Sequence, residues 1–578
     1  MILQALYGYY QRKSKLGEGD AAPRGFQWKE IPYLIVLDKS GNFVSIEDTQ
    51  ERVEKKLKAK KYLVPIAPVR AGSTIRPGLL WDQMEYALGA NPRDRSDIEE
   101  RFGSFKERLS TELKAIDHPS LNALQVFLLG DPCTKIGEKL PEDEWRKLQD
   151  KNPFVAFRID GEPPIADVLY DLLPKPEADE STNPEDPFCP VTGGRGKGPL
   201  THSKIKGVWG AQSAGATLVA FNLRASESYG KTQNQNAPMS GVAADAYTKA
   251  LNMLLGDGSR NRIQVGDAST VFWADRDNSF EEEFPAFFTM VPKNENDDPD
   301  RDILAVKSLY NSIHTEAGVS NTKTHFFVLG LAPNAARIAV RFWHTGTIAE
   351  LSSKIRRHYD DLEIMRSPKD QGRYALYHFL KDIAPQQDIA NIPPNLAGNI
   401  MRAVLEGSPY PATLLQQIVR RIRAEQEVTR IRASLLKAYL NRWHRIHSTA
   451  EKEILVALDP DNINPGYRLG RLFAVLEKIQ EDSAHPNKLN ATIRDRFYGA
   501  ASSSPVTVFP QLLKLKNHHL AKIENQAFRG SFEKRLTEII GGLPTDMPRH
   551  LPMDDQARFA IGYYHQRQDL FTKSDKSE

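Results

Sequence analysis

The residues best suited to chemistry lie between Cys189 and Asn222, CPVTGGRGKGPLTHSKIKGVWGAQSAGATLVAFN. This stretch holds Arg195, Lys197, Lys204 and Lys206, is rich in glycine, and sits in a gap from Asp186 to Glu227 that contains no Asp or Glu. Glycine lets a backbone approach a ligand and bare its N–H donors. Lysine and arginine contact phosphate. The flat amides of Gln212 and Asn222 can read base edges or wedge a base step. Together these types suit a DNA backbone with limited base reading; composition alone favours a mobile surface loop followed by a core strand. Lys197 is followed by glycine instead of Ser or Thr, so the segment is not a Walker loop. GGRGKG also lacks the preceding strand and following helix of a dinucleotide fingerprint.

Catalytic patterns are sparse. Asp275 and Asp277 in WADRD have the residue type to hold a metal, as do Asp297, Asp298, Asp300 and Asp302 in the acidic run ENDDPDRD. Both runs read as turns or loops. His518 and His519 lack the i,i+4 spacing that puts two ligands on one helix face. There is no GxSxG elbow and no HExxH. The expectation is a protein without catalytic residues, metal or cofactor. A metal-dependent nuclease built on Asp275 and Asp277 is one rival, and an RNA-binding scaffold that never reads DNA is another.

Two further groups of bases stand out. PATLLQQIVRRIRAEQEVTRIRASLLKAYLNRWHRI reads as one long helix. At ~100° per residue, Arg420, Arg423, Arg430, Lys437, Arg442 and Arg445 fall within ~140° of arc, while Arg421 and Arg432 fall outside it. Ile422, Leu435, Leu436, Tyr439, Leu440 and Trp443 lie mostly opposite. This predicts one core face and one positive stripe that either follows a phosphate backbone or pairs with acids from a neighbour. The run KKLKAKK, Lys55 to Lys61, with Arg70 and Arg76 beyond it, reads as solvated loop or edge.

These residues need elements to hold them. At 578 residues the chain exceeds one core, and its 77 Lys and Arg nearly balance 74 Asp and Glu, so any polyanion surface must come from local charge segregation. Two cysteines, Cys133 and Cys189, form no CxxC pair, which fits a reducing compartment. The N-terminal apolar run precedes its basic residues, the reverse of a signal peptide, and no apolar run approaches ~20 residues. The reading is a soluble cytoplasmic protein. IPYLIVLDKSGNFVSIED predicts a hairpin around Asp38 to Asn42. Ser96 to Ile116 and Pro141 to Asp150 read as helices, Pro174 to Pro187 as an exposed connection, and Lys573 to Glu578 as a frayed tail. FVAFRIDGEPP, ATLVAFNL, STVFWAD and THFFVLGLAPNAARIAVRFW supply strand candidates, and GVAADAYTKALNMLL a helix. After about Thr345 strand signals nearly vanish. The expected fold is an α+β body over 1–345 followed by an all-α helical-bundle domain over 346–578.

The stretch from Lys204 to Ser240 resembles the signature core of the large subunit of the type I-C CRISPR Cascade surveillance complex. ILQALYGYYQR at the start, LLWDQMEYALG at 79–89, FFVLGLAPNAARIAVRFW at 326–343, YRLGRLFAVLEKIQ at 467–480 and FAIGYYHQRQDLF at 559–571 resemble the same family, in order, over almost the whole chain. The resemblance implies a non-enzymatic subunit of a crRNA-guided antiviral complex. Such a subunit recognises the protospacer-adjacent motif in duplex DNA, helps open the duplex, contacts the displaced strand and offers a docking surface to a helicase-nuclease. Its partners would be the crRNA-bearing backbone subunits and a small helical subunit, which the block from about 450 to 578 resembles. On this footing Lys204 and Lys206 hold phosphates, Gln212, Ser213 and Asn222 read the motif or wedge the strands, and Gln233 and Asn236 support them. The basic helix tracks a single strand. Where family members often have proline followed by asparagine, this chain has Pro77 and Gly78, which shifts motif reading toward Arg70, Ser73 or Arg76.

Overall fold

A computed structural model of the chain describes residues 1–16, 22–53, 56–68, 70, 74–90, 95–174, 185–288, 323–366, 374–393, 395–486 and 489–571. Two compact units emerge, residues 1–205 with 217–253 and residues 206–216 with 254–578. No helix among the described residues is long and apolar enough to cross a membrane.

Unit 1 opens with helix α1 (Ile2–Leu16) and strands β1 (Phe26–Glu30), β2 (Tyr33–Leu37) and β3 (Phe43–Asp48). The turn expected between β2 and β3 forms through Asp38, whose Oδ1 accepts the backbone N–H of Ser40 and of Asn42, each at 2.8 Å, while Gly41 takes φ +82°. The lysine run, expected as loop or edge, falls in edge strands. β4 (Gln50–Val53) pairs with β5 (Lys56–Ala59), and β6 (Lys61–Pro65) pairs with β1, each as a two-stranded antiparallel ribbon. Strand β7 (Trp81–Gln83), helices α2 (Ile98–Glu112) and α3 (Pro119–Leu129), and strand β8 (Phe154–Ile159) follow. The central sheet runs β3-β2-β8-β7, with β2 and β8 parallel. Phe105 of α2 and Phe127 of α3 meet Phe157 of β8 in one buried core. Helix α4 (Gly241–Leu254) closes this part of the sequence.

Unit 2 holds an antiparallel sheet, β12-β11-β10-β9, made of β9 (Arg262–Val265), β10 (Ala268–Ala274), β11 (His325–Asn334) and β12 (Arg337–Thr347). Phe272, Ala274, Phe326, Val328 and Phe342 share one core with the helices that follow. Among these are α5 (Ile348–Leu362), α6 (Ala412–Glu425), α7 (Arg430–His447), α8 (Pro465–Ala484) and α9 (Met553–Phe571). An α+β region followed by a mainly helical one is therefore present, but the chain does not divide at 345. The sheet expected to end the first domain buries one face against the helices of the second, so the boundary falls at 253/254. ATLVAFNL is also not a strand; beyond single bridges at Ala216 and Thr217 it is irregular. The described ends of the connection at 174–187 flank residues outside the described set, as does the C-terminal tail.

The expected family stretches at 467–480 and 559–571 turn out to be core. α8 and α9 approach until a Cβ on Gly470 would lie 2.0 Å from the Phe559 carbonyl oxygen, and one on Gly562 2.1 Å from that of Tyr467. Polar side chains cross the same contact: Tyr467 Oη and His565 Nδ1 are 2.9 Å apart, Arg471 Nε donates to Gln566 Oε1, and Tyr563 Oη donates to the buried Glu477 at 2.6 Å. Gly470→Ala should lower stability by about 1–3 kcal/mol, since only backbone can yield. Gly499→Ala, in a helix with nothing within 4 Å of the added carbon, should be neutral or stabilising by about 0.5–1 kcal/mol. Denaturant melts of both variants check the pair.

Candidate nucleic-acid interface

The acid-free segment is shared between the units, residues 187–205 and 217–226 belonging to unit 1 and 206–216 to unit 2. In unit 1 it begins as a tight turn in which the Cys189 N–H donates to the Gly194 carbonyl and the Gly193 N–H to that of Cys189, with Gly193 at φ +80°. Burial pushes the Cys189 thiol up, but hydrogen bonds with Thr192 and Ser240 outweigh it and bring the pKa to about 7. Arg195 donates to the Asp186 carbonyl at 2.8 Å, and Lys197 Nζ lies 3.9 Å from the Asp186 carboxylate. Both bases thus lean on the acid that borders the segment.

Further along, His202 Nδ1 sits 2.7 Å from Tyr247 Oη inside unit 1, and burial lowers its pKa to about 4. Asn252 donates to the Lys204 carbonyl at 3.2 Å, so the backbone at Lys204 is fixed while its side chain is exposed. Asn222 and Gln233 are exposed. Asn236 is half-buried: its amide nitrogen donates to the Lys231 and Gln233 carbonyls, each at 3.0 Å, and its Oδ1 accepts from the Ser228 N–H. These bonds make Asn236 a brace for the loop 228–236.

In unit 2 the segment is pinned at Gly207, where φ is +84° and a Cβ would lie 2.4 Å from the Leu255 carbonyl oxygen. The Trp209 N–H donates to Ser269 Oγ of β10 at 2.9 Å. The Gly215 N–H, at φ +84°, donates to the Gln212 carbonyl at 2.8 Å and closes a four-residue turn. Gln212 and Ser213 ride exposed on this turn, as does Lys206 before it. The sequence reading passed over two exposed aromatics, Trp209 at 62% exposure beside this turn in unit 2 and Tyr229 at 97% in the loop 228–236 of unit 1. The signal that marks them is an aromatic placed among bases and amides, the composition of a base-stacking surface.

The loop after β6 separates its three candidates. Arg70 is committed to structure: it pairs with the buried Asp82, donates Nε to the Arg76 carbonyl at 2.8 Å and lies 4.1 Å above the Tyr86 ring. Arg76 is exposed and makes no ion pair among the described residues. Ser73 lies outside the described residues. Gly78 donates to Asp82 at 2.6 Å, and a Cβ there would lie 2.2 Å from the Trp81 carbonyl oxygen, so this backbone has no room for an asparagine.

The long basic helix does not form as one stripe. It breaks after Glu425, with Gln426 at φ +52°, and α7 restarts under a Thr429 cap whose Oγ1 accepts the Arg432 N–H at 3.1 Å. Lys437 and Arg442, expected on the open face, are 3% and 2% exposed. Arg442 pairs with the buried Asp361 at 3.1 Å, and Lys437 donates to the Asp361 carbonyl at 3.0 Å, with burial pushing its ammonium pKa down. Arg445 bridges Asp361 at 2.8 Å and Glu453 at 2.9 Å. Arg430 lies 5.2 Å over Tyr374. Of the six stripe residues only Arg420 and Arg423, both on α6, are exposed.

Asp275 Oδ2 is 3.5 Å from His325 Nδ1 and Oδ1 is 3.9 Å from Arg276 Nε. Among the described residues no three His, Cys, Asp or Glu side chains gather as a metal site. Asp297, Asp298, Asp300 and Asp302 lie outside them.

Two outcomes check this description. Arg442→Gln should lower stability by about 3–5 kcal/mol by leaving Asp361 and its neighbours unbalanced, whereas Arg420→Gln should stay within about 0.5 kcal/mol. Because the folded pKa of His202 is depressed to about 4 from 6.5, its contribution is complete above pH 6.5 and is lost as pH falls toward 4. The difference in melting midpoint between wild type and His202→Gln should therefore shrink across that window; a constant difference would contradict the buried, neutral imidazole.

Residues 6–571 match the model of one family, described as CRISPR-associated protein (Cas_Csd1). No curated protein matches the chain.

Proposed function

The chain belongs to the CRISPR-associated Csd1 family, and on that premise we propose that it is the non-catalytic large subunit of a type I-C Cascade surveillance complex. In this role it recognises the protospacer-adjacent motif in duplex DNA, aids duplex opening, steadies the displaced strand and helps recruit the helicase-nuclease. A Cascade setting follows from the family; the motif, strand and recruitment roles are the proposal.

The observation that supports it is the exposure of Lys204, Lys206, Gln212, Ser213 and Asn222 in a stretch without a carboxylate. Absence of acid keeps the local potential positive, which favours phosphate. Backbone anchors at Lys204, Gly207 and Trp209 hold the exposed side chains on fixed supports, so less ordering entropy is lost when they meet a ligand. Lys204 and Lys206 contact phosphates. Gln212, Ser213 and Asn222 read or wedge the motif, and Trp209 and Tyr229 offer stacking faces. Gln233 and Asn236 shape the adjoining loop. Arg76 is the reading residue of the second loop, its backbone carbonyl held by Arg70. Arg420 and Arg423 remain as phosphate contacts for a displaced strand.

The test is duplex binding by the reconstituted complex at fixed salt, with the motif intact or randomised beside a matched target. Gln212→Ala combined with Asn222→Ala, or Arg76→Ala alone, should remove about 1–3 kcal/mol of motif discrimination, the worth of a good base contact. Discrimination that survives in all variants would place motif reading elsewhere. A wild-type complex without discrimination, whose guide is lost on charge reversal at Lys204 and Lys206, would replace the reading with an RNA-holding scaffold.

A further inference from the structure

The loop between β6 and β7 in unit 1 is held more tightly than a connection needs. Pro77 and Gly78 are buried, while Arg76 just before them is exposed. Three contacts fix the backbone on which the Arg76 side chain stands. Arg70 Nε donates to the Arg76 carbonyl at 2.8 Å, Arg108 of α2 donates Nη1 to the Pro77 carbonyl, and the Gly78 N–H donates to the buried Asp82 at 2.6 Å. Residues 76, 77 and 78 are thus each tied by a charged side chain, and hydrogen bonds to charged groups are the stronger kind. Two positions later Leu80 sits buried at φ +67°. A non-glycine residue in the left-handed region stays there only where its surroundings over-determine it, and such strain gathers at functional sites.

The ties lead back to one helix. Arg101 and Arg108, two turns apart, lie on the same face of α2 with about 10 Å between them. Arg108 holds the loop at Pro77. Arg101 holds it through Tyr86: its Nη1 donates to the Tyr86 hydroxyl at 2.7 Å and its guanidinium lies 4.8 Å from the ring centre, while that of Arg70 lies 4.1 Å from the same ring centre. α2 is itself fixed, because Phe105 and Leu109 are buried in the unit 1 core. Each of these arginines also has a carboxylate partner, Asp82 for Arg70, Glu85 and Asp97 for Arg101, and Glu112 at 2.7 Å for Arg108. Their charge is compensated, whereas the exposed Arg76 makes no ion pair among the described residues. The support therefore brings one free cation to the surface. A long side chain such as Arg76 discriminates between ligands only when the backbone beneath it is locked.

We propose that Arg108 is a positioning residue for motif reading: its bond to the Pro77 carbonyl sets the direction in which Arg76 leaves the loop. This role rests on the assignment of Arg76 as a reading residue and goes beyond it, since Arg108 itself touches no DNA. It acts from α2, through the backbone of the next residue along.

The experiment measures binding of the assembled complex to matched duplexes, motif intact or randomised, across a salt series. The chains compared are wild type, Arg108→Gln, Arg108→Lys, Arg76→Ala, and Arg76→Ala combined with Arg108→Gln. Arg108→Gln should lower motif discrimination about 3- to 30-fold, within the range of residues coupled in one hydrogen-bond network. Affinity for the randomised duplex and its salt slope should be unchanged. Lysine keeps a charged donor, so Arg108→Lys should recover part of the discrimination. In the Arg76→Ala background, where the acid-free segment still reads, Arg108→Gln should take away nothing more. Full discrimination in Arg108→Gln overturns the proposal. So does a further loss in the Arg76→Ala background, which would have Arg108 act apart from Arg76. A salt slope lowered by about 0.9 overturns it by making Arg108 a phosphate contact itself. A lowered melting midpoint, with discrimination lost and not recovered by lysine, overturns it by making Arg108 a residue of stability alone. Full discrimination in the Arg76→Ala single variant would instead remove the reading of Arg76, and the role of Arg108 with it.

Discussion

A guanidinium or ammonium taken out of water without a counter-charge costs several kcal/mol, and in unit 2 that constraint converges on Asp361. Its carboxylate is 3% exposed and meets Arg442, Arg445 and Arg357, while Lys437 caps its carbonyl. The surrounding helices can pack only if these cations turn inward. α7 therefore presents its bases to the interior, and Tyr410 completes the arrangement, with the Arg442 guanidinium 4.2 Å above its ring. What a ligand can reach is decided by what this carboxylate leaves over. Charge counted along the sequence overstates the positive surface of α7.

Glycine serves two opposite ends in the same chain. At Gly470 and Gly562 it is absent side chain that matters: the helices touch through backbone, and the contact holds α8 and α9 together around Glu477 and His565. At Gly207 and Gly215 it is the positive φ that matters, turning the chain so that Lys206, Gln212 and Ser213 stay outside. Rigid interior contacts and rigid exposed turns are complementary, because an exposed side chain discriminates among ligands only when its backbone does not yield.

Much of the local structure was legible. Asp38 to Asn42 carries turn chemistry that favours a hairpin, and the apolar runs of 326–343, parted by Pro333 and Asn334, are the strand candidates that form β11 and β12. Family membership was legible too, because the resembling stretches run in order along almost the whole chain, as the match over residues 6–571 does. What escaped the sequence depends on distant partners. The break between α6 and α7 uses Gln426 and Thr429 where no glycine or proline announces it. The burial of Arg442 depends on Asp361, 81 residues earlier. The joint core of the β9–β12 sheet and the helices after it is a packing fact with no local signature. Lack of acid is likewise ambiguous alone: Ala317 to Ala349 also has none, yet its described part is largely the β11–β12 hairpin, whose β11 is mostly buried. Exposure separates that hairpin from the segment at 187–226.

The central claim is that the acid-free segment and the Arg76 loop, and not α7, meet DNA. Hydrogen–deuterium exchange of the chain within the assembled complex, with and without a motif-bearing duplex, tests it most directly. The account predicts new protection over 204–222 and around Arg76, with 430–447 unchanged. Protection concentrated on 430–447, with 204–222 exchanging as before, would contradict it.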